Sequence, residues 1–154
     1  MAYEIEHKYL VKDNSFRDMA ERKVEISQGY LSRHKERVVR VRTVDERGYL
    51  TVKGKTHSHR DSRGKCDVRK EFEYKIPVED ARQMLELCEG TVLSKTRWIV
   101  SYEGFTWEVD EFHGELQGLT LAEIELDHPA ADYPLPQFIG EDVTGNPKYY
   151  NSNL

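Results

Sequence analysis

Glu4-Ile5-Glu6-His7-Lys8 decides how the rest of this chain reads. Side chains of a β-strand alternate between two faces, so Glu4, Glu6 and Lys8 share one face while Ile5, His7 and Tyr9 take the other. A solvated strand face explains such a pattern when it occurs once. Here it recurs. Arg40 and Arg42 alternate with Val39 and Val41, Lys53 and Lys55 follow Leu50 and Val52, and Glu71 and Glu73 flank Phe72. Lys95 and Arg97 precede Trp98, Glu108 and Asp110 flank Val109, and Glu123 and Glu125 flank Ile124. Each of these later pairs has one sign. Like charges side by side weaken a sheet, so a repeated like-sign doublet suggests that each strand serves a ligand.

Composition sets the bounds. The chain has 154 residues, 33% of them charged and 38% hydrophobic, which predicts one globular domain over residues 1–154 with one modest core. A net charge of -5 argues against a general nucleic-acid coat, so any polyanion must meet a local cluster of cations. Cys66 and Cys88 lack the close spacing of a structural zinc site and read as reduced thiols. The charged first eight residues contain no signal-peptide core, and no apolar run approaches the ~20 residues that span a bilayer. The expectation is a soluble, cytoplasmic protein, a monomer or homodimer, with neither nucleic acid nor membrane as partner.

In chain order, the first strand runs over 3–11, and Asp13-Asn14-Ser15 caps a short helix carrying Phe16, Met19, Ala20 and Lys23. The second strand, 24–32, has Gln28 and Tyr30 on one face and Gly29 between them, where bulk is excluded. Strands at 37–44 and 49–55 form a hairpin across Asp45-Glu46-Arg47-Gly48. Residues 56–65 hold His57 and His59 among basic residues. An exposed loop that gathers anions is favoured there over a metal site. A strand at 66–76 ends at Pro77, before a helix with Ala81, Met84, Leu85 and Cys88 on its apolar stripe and a stop at Glu89-Gly90. Strands at 92–102, 105–112 and 120–127 follow, the first two joined by a tight turn at Glu103-Gly104.

This is a mainly β (α+β) pattern, and eight strands with short links suggest an antiparallel sheet that removes its edges by closing into a barrel. Ile5, Val39, Val41, Leu50, Val52, Phe72, Tyr74, Ile76, Trp98, Val109 and Ile124 make the other face apolar enough for the helices to cover. The charged face then lines the lumen. Confined charge is costly unless it is paired or bound, so Lys8, Arg40, Arg42, Lys53, Lys55, Lys95 and Arg97 call for a polyanion. Glu4, Glu6, Glu71, Glu73, Glu108, Asp110, Glu123 and Glu125 would repel it alone. Such oxygen-only ligands suit magnesium or manganese, which bridge carboxylates to phosphate. Salt bridges across the lumen are the competing reading. The metal is favoured because closure brings Glu4 and Glu6 beside Glu123 and Glu125.

The ordered set of Glu4-x-Glu6-x-Lys8, Gln28-Gly29-Tyr30-Leu31, Arg40-x-Arg42, Lys53, Glu71-x-Glu73, Lys95-x-Arg97, Glu108-x-Asp110 and Glu123-x-Glu125 resembles the CYTH superfamily, the triphosphate tunnel metalloenzymes. The likeness extends to Asp142-Val143-Thr144-Gly145 and Tyr149-Tyr150-Asn151. His7 stands where many relatives have arginine, on the outward face. The resemblance implies an eight-stranded antiparallel tunnel that binds a triphosphate with a divalent metal. It implies metal ligation by Glu4, Glu6, Glu123 and Glu125, with Asp110 as a further candidate. Phosphate oxygens would be held by Lys8, Arg40, Arg42, Lys53, Lys95 and Arg97, arginine as a planar fork and lysine as a point charge.

Lys8, Tyr30, Lys53 and Glu6 are the candidates for direct participation in catalysis. Water activation stays open between Lys53 with Tyr30 and a carboxylate such as Glu6. Hydrolysis of inorganic triphosphate is the leading expectation. A class IV adenylyl cyclase, a thiamine or nucleoside triphosphatase, and a non-catalytic polyphosphate-binding module are the alternatives. An adenine pocket has no signal in the sequence, and a binding module would be expected to lose the paired carboxylates.

Overall fold

The computed structural model describes residues 3–61, 64–128 and 131–154. Its first strand, β1 (Tyr3–Val11), is where the sheet closes on itself. One edge of β1 pairs antiparallel with β9 (Thr120–Glu125), with Glu6 opposite Glu125 and Lys8 opposite Glu123. The other edge pairs with β6 (Gly64–Ile76), with Glu4 opposite Arg69 and Glu6 opposite Asp67.

Between these partners the ring is completed by β8 (Phe105–Phe112), β7 (Glu89–Tyr102), β2 (Arg22–Ser32), β3 (Arg37–Val44) and β4 (Arg47–Gly54), which returns to β6. The result is the closed eight-stranded antiparallel barrel that the charge doublets predict. Two further strands bring the described total to ten: β5 (His57–Asp61) extends β6, and β10 (Ile139–Asp142) pairs with the end of β1. The exposed loop expected over 56–65 is therefore corrected in part. His57 and Ser58 lie in a strand opposite Val68 and Asp67, because a hairpin partner satisfies backbone groups that a loop would leave to water. Ser62 and Arg63 lie outside the described residues.

The β3–β4 turn is tighter than expected, with Asp45 alone at positive φ (52°) before β4 begins at Arg47. Gly48 serves packing instead. A Cβ there would stand 2.8 Å from the Ala81 Cβ of α2 (Val78–Leu85). Gly29 likewise lies under Cys88, whose Sγ would be 2.7 Å from an added Cβ, so the bulk limit read from the sequence holds. The first helix, α1, is one turn only, Phe16–Met19, and Lys23 belongs to β2. Four residues bury little surface, so tertiary packing of Phe16 rather than helix propensity holds that turn.

The main core lies outside the barrel wall. Tyr9, Val100, Trp107, Val109, Ala122 and Ile124 point outward from β1, β9, β8 and β7 and are covered by Phe16, Tyr133, Phe138 and Ile139. Fully buried side chains such as Trp107, Phe16 and Phe138 each contribute on the order of 1.5–3 kcal/mol. Helices thus cover the outer face only in part. Segment 131–139 does most of the work on one side, and Val52, Phe72 and Tyr74 stay exposed at 37%, 42% and 64%. Inside, Val24, Ile26, Val44 and Tyr49 form one apolar cluster, and Leu93, Phe112 and Leu121 form another with Leu10, Tyr149 and Leu154. No helix among the described residues is long and apolar enough to cross a membrane.

Candidate active site

Between the two inner apolar clusters the barrel encloses a cavity of about 200 Å³. Its wall takes Glu4, Glu6 and Lys8 from β1, Tyr30 from β2, Arg40 and Arg42 from β3 and Lys53 from β4. Glu71 and Glu73 come from β6, Arg97 from β7, Glu108 from β8, and Glu123 and Glu125 from β9. Strand alternation alone puts these side chains on one surface, and closure turns that surface inward.

The cations are deep and mostly committed. Lys53 Nζ lies 3.1 Å from Glu4 and 3.2 Å from Glu71, and Lys8 Nζ lies 3.5 Å from Glu123. Arg40 and Arg42 both reach one Glu73 oxygen, at 3.4 and 3.0 Å. Arg97 grips Asp110 with a planar fork, at 2.8 and 3.0 Å, and reaches Glu108 at 3.2 Å. Two guanidiniums are only half used: Nε of Arg40 and Nε of Arg42 are buried with no hydrogen-bond acceptor. A buried, unpaired donor costs about 1–3 kcal/mol, more when charged, so acceptor oxygens are wanting at these two positions.

Crowding splits the acids. Burial, and then Glu123 and Glu4, hold the Glu6 carboxyl well above the usual range. Burial also raises Glu123, but Lys8 and then Arg97 and Lys95 outweigh it and hold that carboxylate far below its ordinary value. Glu4 behaves like Glu123, with Lys53, Arg69 and Arg40 overcoming burial. Glu125 is pushed up to about 7 by burial and by Glu4, Glu71 and Glu108. Its exposed side lets solvent weaken that push.

Several sequence expectations need correction. Lys55 is exposed and absent from the cavity wall, because β4 ends at Gly54 and the inward alternation ends with it. Lys95 and Asp110 face inward but sit behind the wall, 2.7 Å apart and buried, with Lys95 also 5.3 Å from the Phe112 ring. Burial lowers Lys95 to about 8, partly offset by Asp110. The remaining doublets all reach the cavity. Those missed are Asp67 and Arg69 on β6, Thr56, and Tyr150, Asn151 and Ser152. Asp67 and Arg69 form an i, i+2 pair of opposite sign, so a search for like-sign pairs passes over them.

The donor set suits a hard divalent cation in kind, being all carboxylate oxygen. Among the described residues, however, no three acidic, histidine or cysteine side chains stand ready-made around one point. Glu4 is turned to Lys53, and Glu123 to Lys8. A cation would replace those ammonium partners and relieve the crowding of Glu6 against Glu123.

Fold and site together define a class: a closed barrel whose lumen is lined by clustered cations and carboxylates. The CYTH domain family matches residues 2–151. An inorganic triphosphatase of Acetivibrio thermocellus is 46% identical over 155 residues, covering 100% of this chain and 94% of that protein. One of Nitrosomonas europaea is 31% identical, covering 98% and 95%. The solved structure of an inorganic triphosphatase superposes with a TM-score of 0.66 at 27% identity, covering 99% and 94%. The chain belongs to the CYTH family, and membership implies a divalent metal.

Proposed function

We propose that the protein, acting as one unit over residues 1–154, hydrolyses inorganic triphosphate to diphosphate and orthophosphate with magnesium or manganese. The observation that carries this reading is the pair of buried, acceptorless Nε donors on Arg40 and Arg42 beside the cavity whose wall they help to form. Phosphate oxygens supply the missing acceptors. The relatives' described activity supports the same substrate.

In this reading Arg40, Arg42 and Arg97 orient the phosphates as forks, and Lys8 and Lys53 neutralise them as point charges. Glu4, Glu6, Glu123 and Glu125 would hold the cation, which when bound draws charge from the phosphate oxygens and eases attack by water. Lys53 is engaged by Glu4 and Glu71, which weighs against the Lys53 and Tyr30 pair as the group that activates water. Asp110 and Lys95 support Arg97 from behind.

The direct test is phosphate release from inorganic triphosphate, ATP, GTP and thiamine triphosphate side by side, with and without magnesium. Release from inorganic triphosphate should dominate and vanish with chelator. Equal, slow release from all four would defeat the proposal.

Two further results are expected. Arg42→Lys keeps the charge but loses the fork. The inhibition constant of a triphosphate analogue should rise roughly tenfold to a hundredfold, the worth of a hydrogen bond between charged groups. If Arg42 serves only its ion pair with Glu73, the constant will not move.

The second concerns pH. Glu125 and Glu6 are both raised, so protons compete with the cation on the acid side, and cation affinity of the ligand-free protein should climb as pH rises through about 7. Calorimetry in two buffers of different ionisation enthalpy would show the released protons. A flat affinity from acid to neutral pH would put the cation elsewhere.

A further inference from the structure

Resting on that reading of the cavity, we infer that segment 146–154 forms an end stop that sets which phosphate is cut. Its backbone and side chains close one end of the lumen. Tyr150, Asn151 and Ser152 line the cavity, and Tyr149 and Leu154 pack on the apolar cluster of Leu93, Phe112 and Leu121.

Two ties hold the segment there. Lys8 Nζ donates to the Tyr149 carbonyl at 2.8 Å, and Arg33 donates to the Ser152 carbonyl. Arg33 itself is steadied over the Tyr30 ring, 4.8 Å from its centre. At the opposite side Glu73, Glu108 and Glu125 are the wall acids most open to solvent, which makes that the side of entry.

The stop carries an unused polar group. Oδ1 of Asn151 is buried and has no hydrogen-bond partner. Asn151 lines the lumen, and with Oδ1 the buried end of its carboxamide, Nδ2 is the end that can donate to a phosphate oxygen there. A chain entering from the acid-rimmed side would rest its terminal phosphate against that amide, beside the Lys8 ammonium. Register, and not only affinity, then follows from Asn151. Asn151 is a positioning residue, since it fixes where the chain halts while other groups neutralise it.

With the terminus fixed, water attacks the terminal phosphorus of any chain that fits. The new bond joins the water oxygen to that phosphorus, and the bond from phosphorus to the bridging oxygen breaks. Its electron pair stays on the shortened chain, one water proton remains on orthophosphate, and the other leaves to solvent. Tetraphosphate therefore yields triphosphate and orthophosphate. Two diphosphates would arise only if the chain slid one phosphate deeper.

The test is the first-cut product ratio from linear tetraphosphate with magnesium, read by phosphorus NMR. The wild-type protein should give triphosphate and orthophosphate as the main first products. In Asn151→Ala the share of the symmetric cut should rise roughly tenfold, the ratio that one hydrogen bond to a charged group controls. Arg33→Ala, which loosens the segment without substituting any residue of the cavity wall, should move the ratio the same way if Asn151→Ala fails to fold. A wild-type mixture of both cuts, or an unchanged ratio in a folded variant, overturns the end stop. Absence of any hydrolysis by the wild-type protein would instead overturn the triphosphatase reading itself.

Discussion

Glu6→Gln is expected to lower metal-dependent phosphate release by at least roughly 100-fold, since even indirect supports of metal ligands are worth 10- to 100-fold. The same variant should melt no lower than the wild type in the absence of metal. Glu6 stands against Glu123 and Glu4, and burial with those neighbours raises its carboxyl and so favours the protonated form. An amide imitates that protonated form with almost no change of volume, so the metal-free barrel loses nothing. Only the liganded state suffers, because an amide cannot offer a charged oxygen to a cation. Melting curves with and without magnesium, beside a rate assay, separate the two effects. A variant that keeps its rate would remove Glu6 from the site.

Asp110→Ala should do the reverse and destabilise the empty protein most. Asp110 is 2% exposed and faces two cations, Lys95 Nζ at 2.7 Å and the forked guanidinium of Arg97. Removing one partner of such a buried group costs about 3–5 kcal/mol, which for a chain of this size lowers the melting temperature by roughly 6–20 °C. Lys95, already lowered to about 8 by burial, would fall further without its carboxylate. In that state the unfolded chain binds more protons than the folded one, so stability rises with pH. The deficit of Asp110→Ala should accordingly shrink as pH rises toward about 8. A deficit independent of pH would mean that Lys95 stays charged and finds another partner.

The barrel was legible because its signal is a period. Glu4, Glu6 and Lys8 repeat every second residue, and the later doublets extend that rule over seven strands without any need to know how the strands meet. What alternation cannot supply is the point at which a strand ends. Lys55 obeys the spacing but falls one residue past the end of β4, and its side chain goes to solvent. Depth along the tunnel is equally silent in the sequence. Lys95 and Arg97 are equivalent by pattern, yet the tilt of the strands sends one behind the wall and the other onto it.

Asp67 and Arg69 show a different limit. They look like an ordinary solvated pair until β1 closes on β6 and sets Arg69 opposite Glu4. Segment 146–154 has no period at all, and its position depends on contacts with Lys8 and Arg33 more than a hundred residues away in the chain.

The closing seam also has a kinetic meaning. β1 must find β6 some sixty residues away in sequence, and β9 further still, before either edge is satisfied. Contacts of such separation are assembled late and slowly, because loop-closure entropy is lost before they can reward it. Only at that step do Glu4 and Glu6 come to face Lys53, Arg69 and Glu123. The part of the chamber that β1 supplies is thus expected to form late, whereas the contacts of Arg42 with Glu73, Lys53 with Glu71 and Arg97 with Asp110 lie within the sheet before it closes. A chain that has not finished folding is spared the crowding of Glu6 against Glu123 and Glu4.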